Sequence, residues 1–549
     1  MMTFRMTFSK LNKKLPLRLA AGLLAGSSLI ASLLGLFRDR YFNSLYYTTY
    51  PSGADAYAVA FTVPDFMFVI LVSGALSVSF IPVFNQRLAS GNKKSAWELS
   101  TSIMNLMALA TFIVSILIIV FAEPLVRYVV GPGLDESSRS LAISMMRVIA
   151  VSPMLFAVAT VITSMQQAVG RFAFFALAPA LYNVGIIIGL LFFTNGINIF
   201  GWQAFEGGIM GVALGVVLGA ILQLIVSTFG LLGMGFDYRF RIYWKNKGFR
   251  QVLRLLPPRS LDQGIDYVNS IVETNLASRM IAGSVQAYKQ VTTLTYVPIN
   301  LIGVAISTAA FPKMTERIAQ GRPDLFKSEL QSVLRVIIWL ALPVTVIAVF
   351  GRGYIVNFIV AGGDPYMASI LAILAVSILF RSVYFISARS FYAQQDTKTP
   401  LYISLFTIGL NITLAIWFSL GLNMGVYGLA WAAVIVSIVE VSILFYLMSR
   451  RIKGLFDAPF LSAIGRMASA AGFMTIITYF AVALLPLSAN DFRLFDTIPK
   501  FILIAGVSFV AYFMLSRIMK LEETGPVLSR IRKILFKRPE VKDESSTHS

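Results

Sequence analysis

An all-helical integral membrane protein with fourteen spans is the fold class this sequence predicts, from its apolarity, the spacing of its apolar runs and the side on which its positive charges fall. Of 549 residues, 57% are hydrophobic and 13% charged, about half the charged share of an average soluble protein. A soluble core cannot bury so many long apolar runs, so lipid must solvate them. Lys and Arg outnumber Asp and Glu by 46 to 26. Beside so many spans, that excess belongs in loops against anionic headgroups and not on nucleic acid. There is no cysteine and the only histidine is His548, in a polar tail. Disulfides, thiolate sites and cysteine nucleophiles are thereby excluded, and histidine chemistry within the spans with them.

A crossing helix needs about 20 apolar residues. Such stretches fall at 18–48, 56–84, 100–122, 141–165, 172–194, 207–235, 257–281, 285–311, 332–350, 366–390, 400–420, 425–449, 462–485 and 497–517. The first follows Lys13, Lys14 and Arg18 like a secretory signal, but it runs into Arg38-Asp39-Arg40 without a cleavage site. With a cytoplasmic N-terminus, the inner loops collect Lys93/Lys94, Arg171, Arg239/Arg241/Lys245/Lys247, Lys313/Arg317/Arg322, Lys398 and Arg450/Arg451/Lys453. The tail adds Arg530, Arg532, Lys533, Lys537 and Arg538, whereas 195–206 and 420–425 carry no positive charge. This is the positive-inside pattern, and losing one span would invert half of it.

An internal repeat organises the spans. Pro82, Arg87 and Gly91 recur at the same spacing as Pro312, Arg317 and Gly321. Gln166-Gln167 echoes Gln394-Gln395, and Gly208-Ile-Met-Gly211 echoes Gly425-Val-Tyr-Gly428. These echoes pair span 2 with 8, 5 with 11 and 6 with 12, giving two parallel six-helix lobes, a transporter architecture with cargo held in a central cavity between the halves. The expected division is a cytoplasmic N-terminus (1–17), an N-lobe (18–235), a basic interfacial segment (236–256), a C-lobe (257–449), a cytoplasmic loop (450–461), two appended spans (462–517) and a basic cytoplasmic tail (518–549).

Leu34-Gly35-Leu-Phe-Arg38-Asp39, Ala54-Asp55 through Pro64, and Gly74-Ala75 with Phe80-Ile-Pro82 resemble the opening of the MurJ/MviN lipid II flippases. Gly170-Arg171-Phe172 with Ala178-Pro179 and Asn183 resembles that family's fourth loop and fifth span, and Gln395-Asp396-Thr397-Lys398-Thr399-Pro400 its tenth loop. The likeness covers nearly the whole chain, the two appended spans included. It implies two lobes around a cavity that opens alternately to each side, a polyprenyl-diphosphate-linked peptidoglycan precursor as cargo, and residence in the bacterial inner membrane. Arginines usual in that family's cavity are replaced here by Ser32, Phe68/Val69 and, at about its position, Thr293.

Ionisable groups inside a span are functional candidates because burying them is costly. In span 7, Arg259, Asp262, Asp266 and Glu273, with Ser270, fall within roughly 80° of one face at 100° per residue. They line the cavity or pair among themselves. Pro257-Pro258 fits the start of that helix. Arg38 suits a diphosphate through its planar fork, with Asp39 holding it; an interfacial cap is the alternative. Lys289 is either a replacement cavity cation or an interface lysine, and Asp55 either lines the site or caps its own helix. Substrate contacts are thus assigned to Arg38, Asp39, Asp55, Arg259, Glu273 and Lys289. Two close carboxylates, Asp262 and Asp266, call for a shared proton or a cation. With Asn411 and Thr413 of span 11 they form a candidate site for Na⁺ or H⁺, and no other cofactor is implied.

Three readings stay open: a lipid II flippase acting as a monomer, a cation-coupled exporter of another polyprenyl-linked glycan or small amphiphile, and a non-transporting scaffold. No Walker-type glycine loop and no nucleophile–base pair supports an enzyme. Reporters fused after residues 92, 246, 320, 452 and 535 are expected to read cytoplasmic, and those near 200 and 422 external. One robust reading on the wrong side removes the fourteen-span topology.

Overall fold

The computed structural model describes residues 17–199, 202–488 and 491–525. The basic residues Lys13, Lys14, Arg530, Arg532, Lys533, Lys537 and Arg538 lie outside the described residues. In chain order the helices are α1 (Leu17–Phe42), α2 (Pro51–Leu71), α3 (Ser73–Ala89), α4 (Lys93–Val120), α5 (Glu136–Ile149), α6 (Ser152–Ala168), α7 (Ala173–Phe192) and α8 (Met210–Phe229). They continue as α9 (Lys247–Ala277), α10 (Ser284–Ile299), α11 (Ala305–Ala319), α12 (Pro323–Phe350), α13 (Arg352–Ile359), α14 (Pro365–Ala393) and α15 (Lys398–Ile416). Three more close the series: α16 (Val426–Arg451), α17 (Ala458–Leu484) and α18 (Leu494–Ile518). The predicted external loop 195–206 departs from the all-helical expectation, folding into a short antiparallel hairpin, β1 (Ile197–Ile199) and β2 (Trp202–Phe205).

Among the described residues, thirteen helices are long and apolar enough to cross a membrane, and each coincides with a predicted span. The seventh predicted span is helical too, but α9 carries too much charge to meet that criterion. Length and composition therefore do not establish a fourteenth crossing. Packing does set the course of α9. At its start Asn246 donates to Ser95 O (3.0 Å) beside the first turn of α4, and near its end Asn275 donates to Val129 O (2.7 Å), beyond the end of α4. Its 31 residues, roughly 46 Å at 1.5 Å each, thus run the full length of α4.

The sequence placed the start of this helix at Pro257; the structure starts it at Lys247. Asn246 Oδ1 caps it by accepting from Gly248 N (2.9 Å) and Phe249 N (3.2 Å), and Phe249, Val252 and Leu256 bury one face. Cap and apolar face commit the chain to helix ten residues early. Pro257 and Pro258 then lie inside the helix, where they withhold donors from the carbonyls of Leu253 and Arg254. The second half of the basic segment 236–256 is therefore continuous with the seventh span.

Local geometry repeats where the sequence does. Pro82 and Pro312 lie inside α3 and α11, Arg87 and Arg317 in their last turns, and Gly91 and Gly321 just beyond at φ +75° and +67°. Both glycines take the left-handed conformation that ends a helix, which other residues adopt only at a cost. Gly208 and Gly425 share positive φ, and Gly211 N and Gly428 N donate back to them at 2.9 and 3.0 Å. The glutamine echo is offset. Arg171 N bonds Gln166 O and Asp396 N bonds Phe391 O, so Gly170 (φ +77°) matches Gln395 (φ +60°), and the glutamine pairs are not equivalent.

Two compact units emerge among the described residues. The first runs up to Thr292 and adds Val356–Ile370 and Ser404–Ala433. Its core gathers Phe80, Phe84, Leu99, Ile103, Met165 and Phe249. Within it α7 and α8 meet through glycines: a Cβ on Gly185 would sit 2.2 Å from Gly219 Cα, and one on Gly189 2.5 Å from Gly215 Cα. Small residues at four-residue spacing let two backbones touch where lipid provides no hydrophobic drive for association. The second unit comprises Thr293–Ile355, Leu371–Ile403 and the described residues from Val434 on. There the appended helices rest on α12: Trp339 Nε1 donates to Ser516 Oγ (3.1 Å), and Arg335 pairs with Glu522 (3.0 Å) and Glu523 (2.5 Å). The turn into α15 is capped by Asp396, which accepts from Thr399 N (3.0 Å), Thr399 Oγ1 (2.6 Å) and Arg451 (2.5 Å). Burial pushes its carboxyl up, but these donors prevail and hold it at about 2.

Gly185→Ala is expected to lower the apparent Tm of the purified protein by several degrees, since overpacking costs about 1–3 kcal/mol. Gly472→Ala on α17, where a Cβ meets nothing within 4 Å, is expected to leave Tm unchanged. Equal melting of both variants with the parent would show that the seam yields.

Candidate functional site

Within the first unit, α1, α2, α7 and α10 bring a charged cluster together. On α1, Arg38 donates through Nε (2.9 Å) and Nη2 (2.7 Å) to Asp39 Oδ1, and through Nη1 (2.9 Å) to Asn183 Oδ1 on α7. Asn183 is itself fixed, its Nδ2 donating to Ala31 O (3.1 Å) and Pro179 O (3.4 Å). The predicted Arg38–Asp39 pair is therefore formed, with a second anchor 145 residues away. Three of the five guanidinium N–H groups are used, and two have no partner among the described residues. The side chain is 25% exposed, so it is held rigidly yet stays reachable.

Lys289 on α10 reaches the same region. Its Nζ lies 3.4 Å from Ala58 O and 5.3 Å from the centre of the Phe61 ring on α2. Arg38, Asp39 and Asp65 are within electrostatic range, as Tyr57 and Tyr182 are of Arg38. Lys289 is nonetheless exposed. It is thus accessible while flanked by α2 and within electrostatic range of α1. Two cations and two carboxylates are thus gathered inside the first unit, a set that suits the recognition of a phosphate-bearing group.

A second polar group joins α9 to α15. Asn411 Nδ2 donates to Asn269 Oδ1 (2.8 Å) and Glu273 Oε1 (3.3 Å), and Asn269 Nδ2 donates to the same Oε1 (2.9 Å). Asn411 Oδ1 is buried without a hydrogen-bond partner among the described residues. Thr413, two positions on and so about 200° around the helix, is exposed and bonds Gly409 O of its own helix (2.9 Å). Asn411, not Thr413, is therefore brought to α9, and its partners there are Asn269 and Glu273. The side chains of Arg259, Asp262 and Asp266 lie outside the described residues.

Asp55 has a different partner from either expected one. The α2 N-cap is Tyr50, without a side-chain cap bond. The buried Asp55 carboxylate instead accepts from Gly283 N (2.7 Å) and Gln286 N (2.9 Å), at the N-terminus of α10. This satisfies orphan donors and places an anion on the positive end of the helix. Around it Gln286 Nε2 donates to Asn43 Oδ1 (3.1 Å), Asn43 Nδ2 to Ile359 O (3.0 Å), and Arg40 to Asn357 O. Residues at the predicted external ends of spans 1, 2 and 8 and of the loop after span 9 are thereby locked together.

Sequence reasoning missed Asp65, although an ionisable residue in the middle of span 2 met the same criterion that singled out span 7. It also missed, in the second unit, Arg381 on α14, which pairs at 3.2 Å with the buried Glu440 of α16. Nothing in the local sequence signals Asn183 as the second anchor of Arg38.

A sequence profile described as lipid II flippase MurJ matches residues 51–497. The chain belongs to the MurJ family. Proteins named probable lipid II flippase MurJ are similar to it along most of their length. The one from Bdellovibrio bacteriovorus is 26% identical over 94% of this chain and 96% of its own, and the one from Thermotoga maritima 26% over 87% and 92%. A solved structure of a lipid II flippase MurJ in an inward closed conformation covers 94% of this chain and 99% of its own, with TM-score 0.70 at 22% identity. An inward-facing multidrug MATE transporter of the MOP superfamily covers 78% and 96%, with TM-score 0.65 at 16% identity. Both structures share the fold of this chain.

Loss of the Asp55 cap, worth about 0.5–2 kcal/mol for such contacts, is expected to open this lock. The chain has no cysteine, so Ala287→Cys, at a fully buried position, gives a clean reporter. In the Asp55→Ala background its labelling by a membrane-impermeant maleimide is expected to rise at least severalfold over the Asp55 parent. Equal labelling would show that the cap does not hold this end shut.

Proposed function

We propose that this chain flips lipid II, a polyprenyl-diphosphate-linked peptidoglycan precursor, from the inner to the outer leaflet of the bacterial inner membrane by alternating access. Its termini lie in the cytoplasm, with the Lys/Arg-rich loops on that side. The observation that carries the reading is the Arg38 guanidinium, fixed by Asp39 and Asn183 with two donors left over, beside an accessible Lys289, in a MurJ-family chain. A planar fork recognises two phosphate oxygens at once, and the Lys289 ammonium adds a second positive charge. Lys289 then takes the part of cations missing at Ser32, Phe68 and Thr293. The Asp55 lock corresponds to a carrier sealed toward the periplasm.

Coupling to Na⁺ or H⁺ belongs to the same proposal. Asn269, Glu273 and Asn411 present hard oxygen donors, one of them an unpartnered buried carbonyl, which fits a small hard cation. Asp266 and Asp262, about one and two turns before Asn269 on α9, would add charge along its path. Such an ion would supply the gradient that resets the empty carrier.

In cells depleted of their own lipid II flippase, the wild-type chain is expected to restore growth and Arg38→Ala to fail at normal membrane level. Arg38→Lys is expected to rescue only partly, because it lacks the fork. In a lipid II transport assay, Glu273→Gln is expected to lose the dependence on Na⁺ or pH that the parent shows. Growth restored fully by Arg38→Ala would overturn the binding role, and an ion-independent parent would overturn the coupling.

A further inference from the structure

The segment leading into α9 is built as a rigid strap. Asn105 on α4 donates to Arg239 O (2.9 Å) and Arg241 O (3.0 Å) and accepts from Tyr238 OH (2.8 Å), while Ser102 Oγ accepts from Tyr243 N (2.8 Å). Beyond it, Phe249, Val252 and Leu256 anchor the first turns of α9 in the core. The opposite face of those turns is exposed, and Lys247, Arg250, Gln251, Arg254 and Leu255 line a cavity of about 490 Å³, within the usual range for small-ligand sites.

The three cations of this cavity have no acidic partner among the described residues. Arg239 is neutralised by Asp237 (2.9 Å), and Glu98 on α4 faces Asn246 (3.4 Å). Arg250 uses only Nε, donating to Trp244 O (2.8 Å). Trp244, whose carbonyl accepts from Arg250, keeps its side chain 58% exposed beside the site, and Phe240 in the preceding strap is 91% exposed. Exposed aromatics beside cations are stable at the level of lipid headgroups, where one end of the site is apolar and the other wet. A soluble anion gives them no such reason to be there.

We propose that this cavity is a binding site for the phosphate of an anionic lipid headgroup in the leaflet that the basic loops face. Lys247, Arg250 and Arg254 ligate the phosphate oxygens, and Trp244 and Leu255 sit among the adjoining acyl chains. The site is distinct from the Arg38 cluster and does not depend on the identity of the cargo.

The full-length protein in detergent, titrated with dioctanoyl phosphatidylglycerol and followed by native mass spectrometry, tests this. Lys247→Gln/Arg250→Gln/Arg254→Gln is expected to weaken the tightest lipid adduct about tenfold or more, from the usual contribution of each cation near a lipid surface. Arg250→Lys/Arg254→Lys is expected to keep most of the binding. Lys93→Gln/Lys94→Gln/Lys245→Gln removes equal charge outside the cavity and is expected to have little effect. Inorganic phosphate at millimolar concentration, and dioctanoyl phosphatidylcholine, are expected not to compete. Equal loss in both charge-removed variants would reduce the effect to net charge, and displacement by inorganic phosphate would make it a soluble-anion site; either result, or unchanged binding in the cavity variant, overturns the proposal.

Discussion

In hydrocarbon no water is at hand, so every polar group in a span must find its partner in the protein or in a water-filled space the protein encloses. This constraint shapes α9 more than any other helix. Its charge bars it from facing lipid, yet it runs the length of α4 and is joined to α15 by Asn411. The same constraint explains Arg38. A guanidinium in a span costs several kcal/mol if left to itself, and here a neighbouring carboxylate and an amide from a distant helix hold it. Partners that make such a charge tolerable also fix its orientation, and fixed orientation is what recognition of a planar anion requires.

The contact between Asp55 and the α10 N-terminus carries the constraint from tolerance to motion. A helix end has donors that no residue of that helix can satisfy, and Asp55 satisfies two of them from another span. Opening this end would strand both the carboxylate and the donors until water reaches them. An interaction of about 0.5–2 kcal/mol biases a two-state equilibrium roughly two- to thirtyfold. In the proposed transport role, that is enough to set a resting state and small enough for cargo or ion binding to reverse. Carriers need latches of this size, since a stronger one would not release.

Much of this was legible in the sequence, because apolar run length, loop charge and glycine placement are local signals. The spans, the Pro–Arg–Gly and Gly–x–x–Gly echoes, and the Arg38–Asp39 pair depend on residues close together in the chain. What escaped depends on distance. Asn183 and Gly283 lie 145 and 228 residues from their partners, and no periodicity reports such a meeting. Pro257-Pro258 misled in another way: proline marks a helix start only when nothing upstream has started one, and the Asn246 cap with the Phe249, Val252 and Leu256 face already had. The glutamine echo failed because a short polar match needs no common geometry, whereas glycine at positive φ does.

The balance of charge in the first unit completes the physical picture. Arg38 and Lys289 face Asp39 and Asp65, so the empty cluster is close to neutral. A cavity of bare cations would bind a diphosphate tightly and cross a low-dielectric environment poorly when empty. In the proposed binding role, carboxylates already beside the cations weaken the first effect and remove most of the second, because cargo would have to compete with them and the unloaded cluster exposes little net charge. The Ser32, Phe68 and Thr293 that the family resemblance sets at arginine positions would act in the same direction, leaving the Arg38 fork and the Lys289 ammonium. A carrier that must let go on the far side gains more from this arrangement than from another arginine.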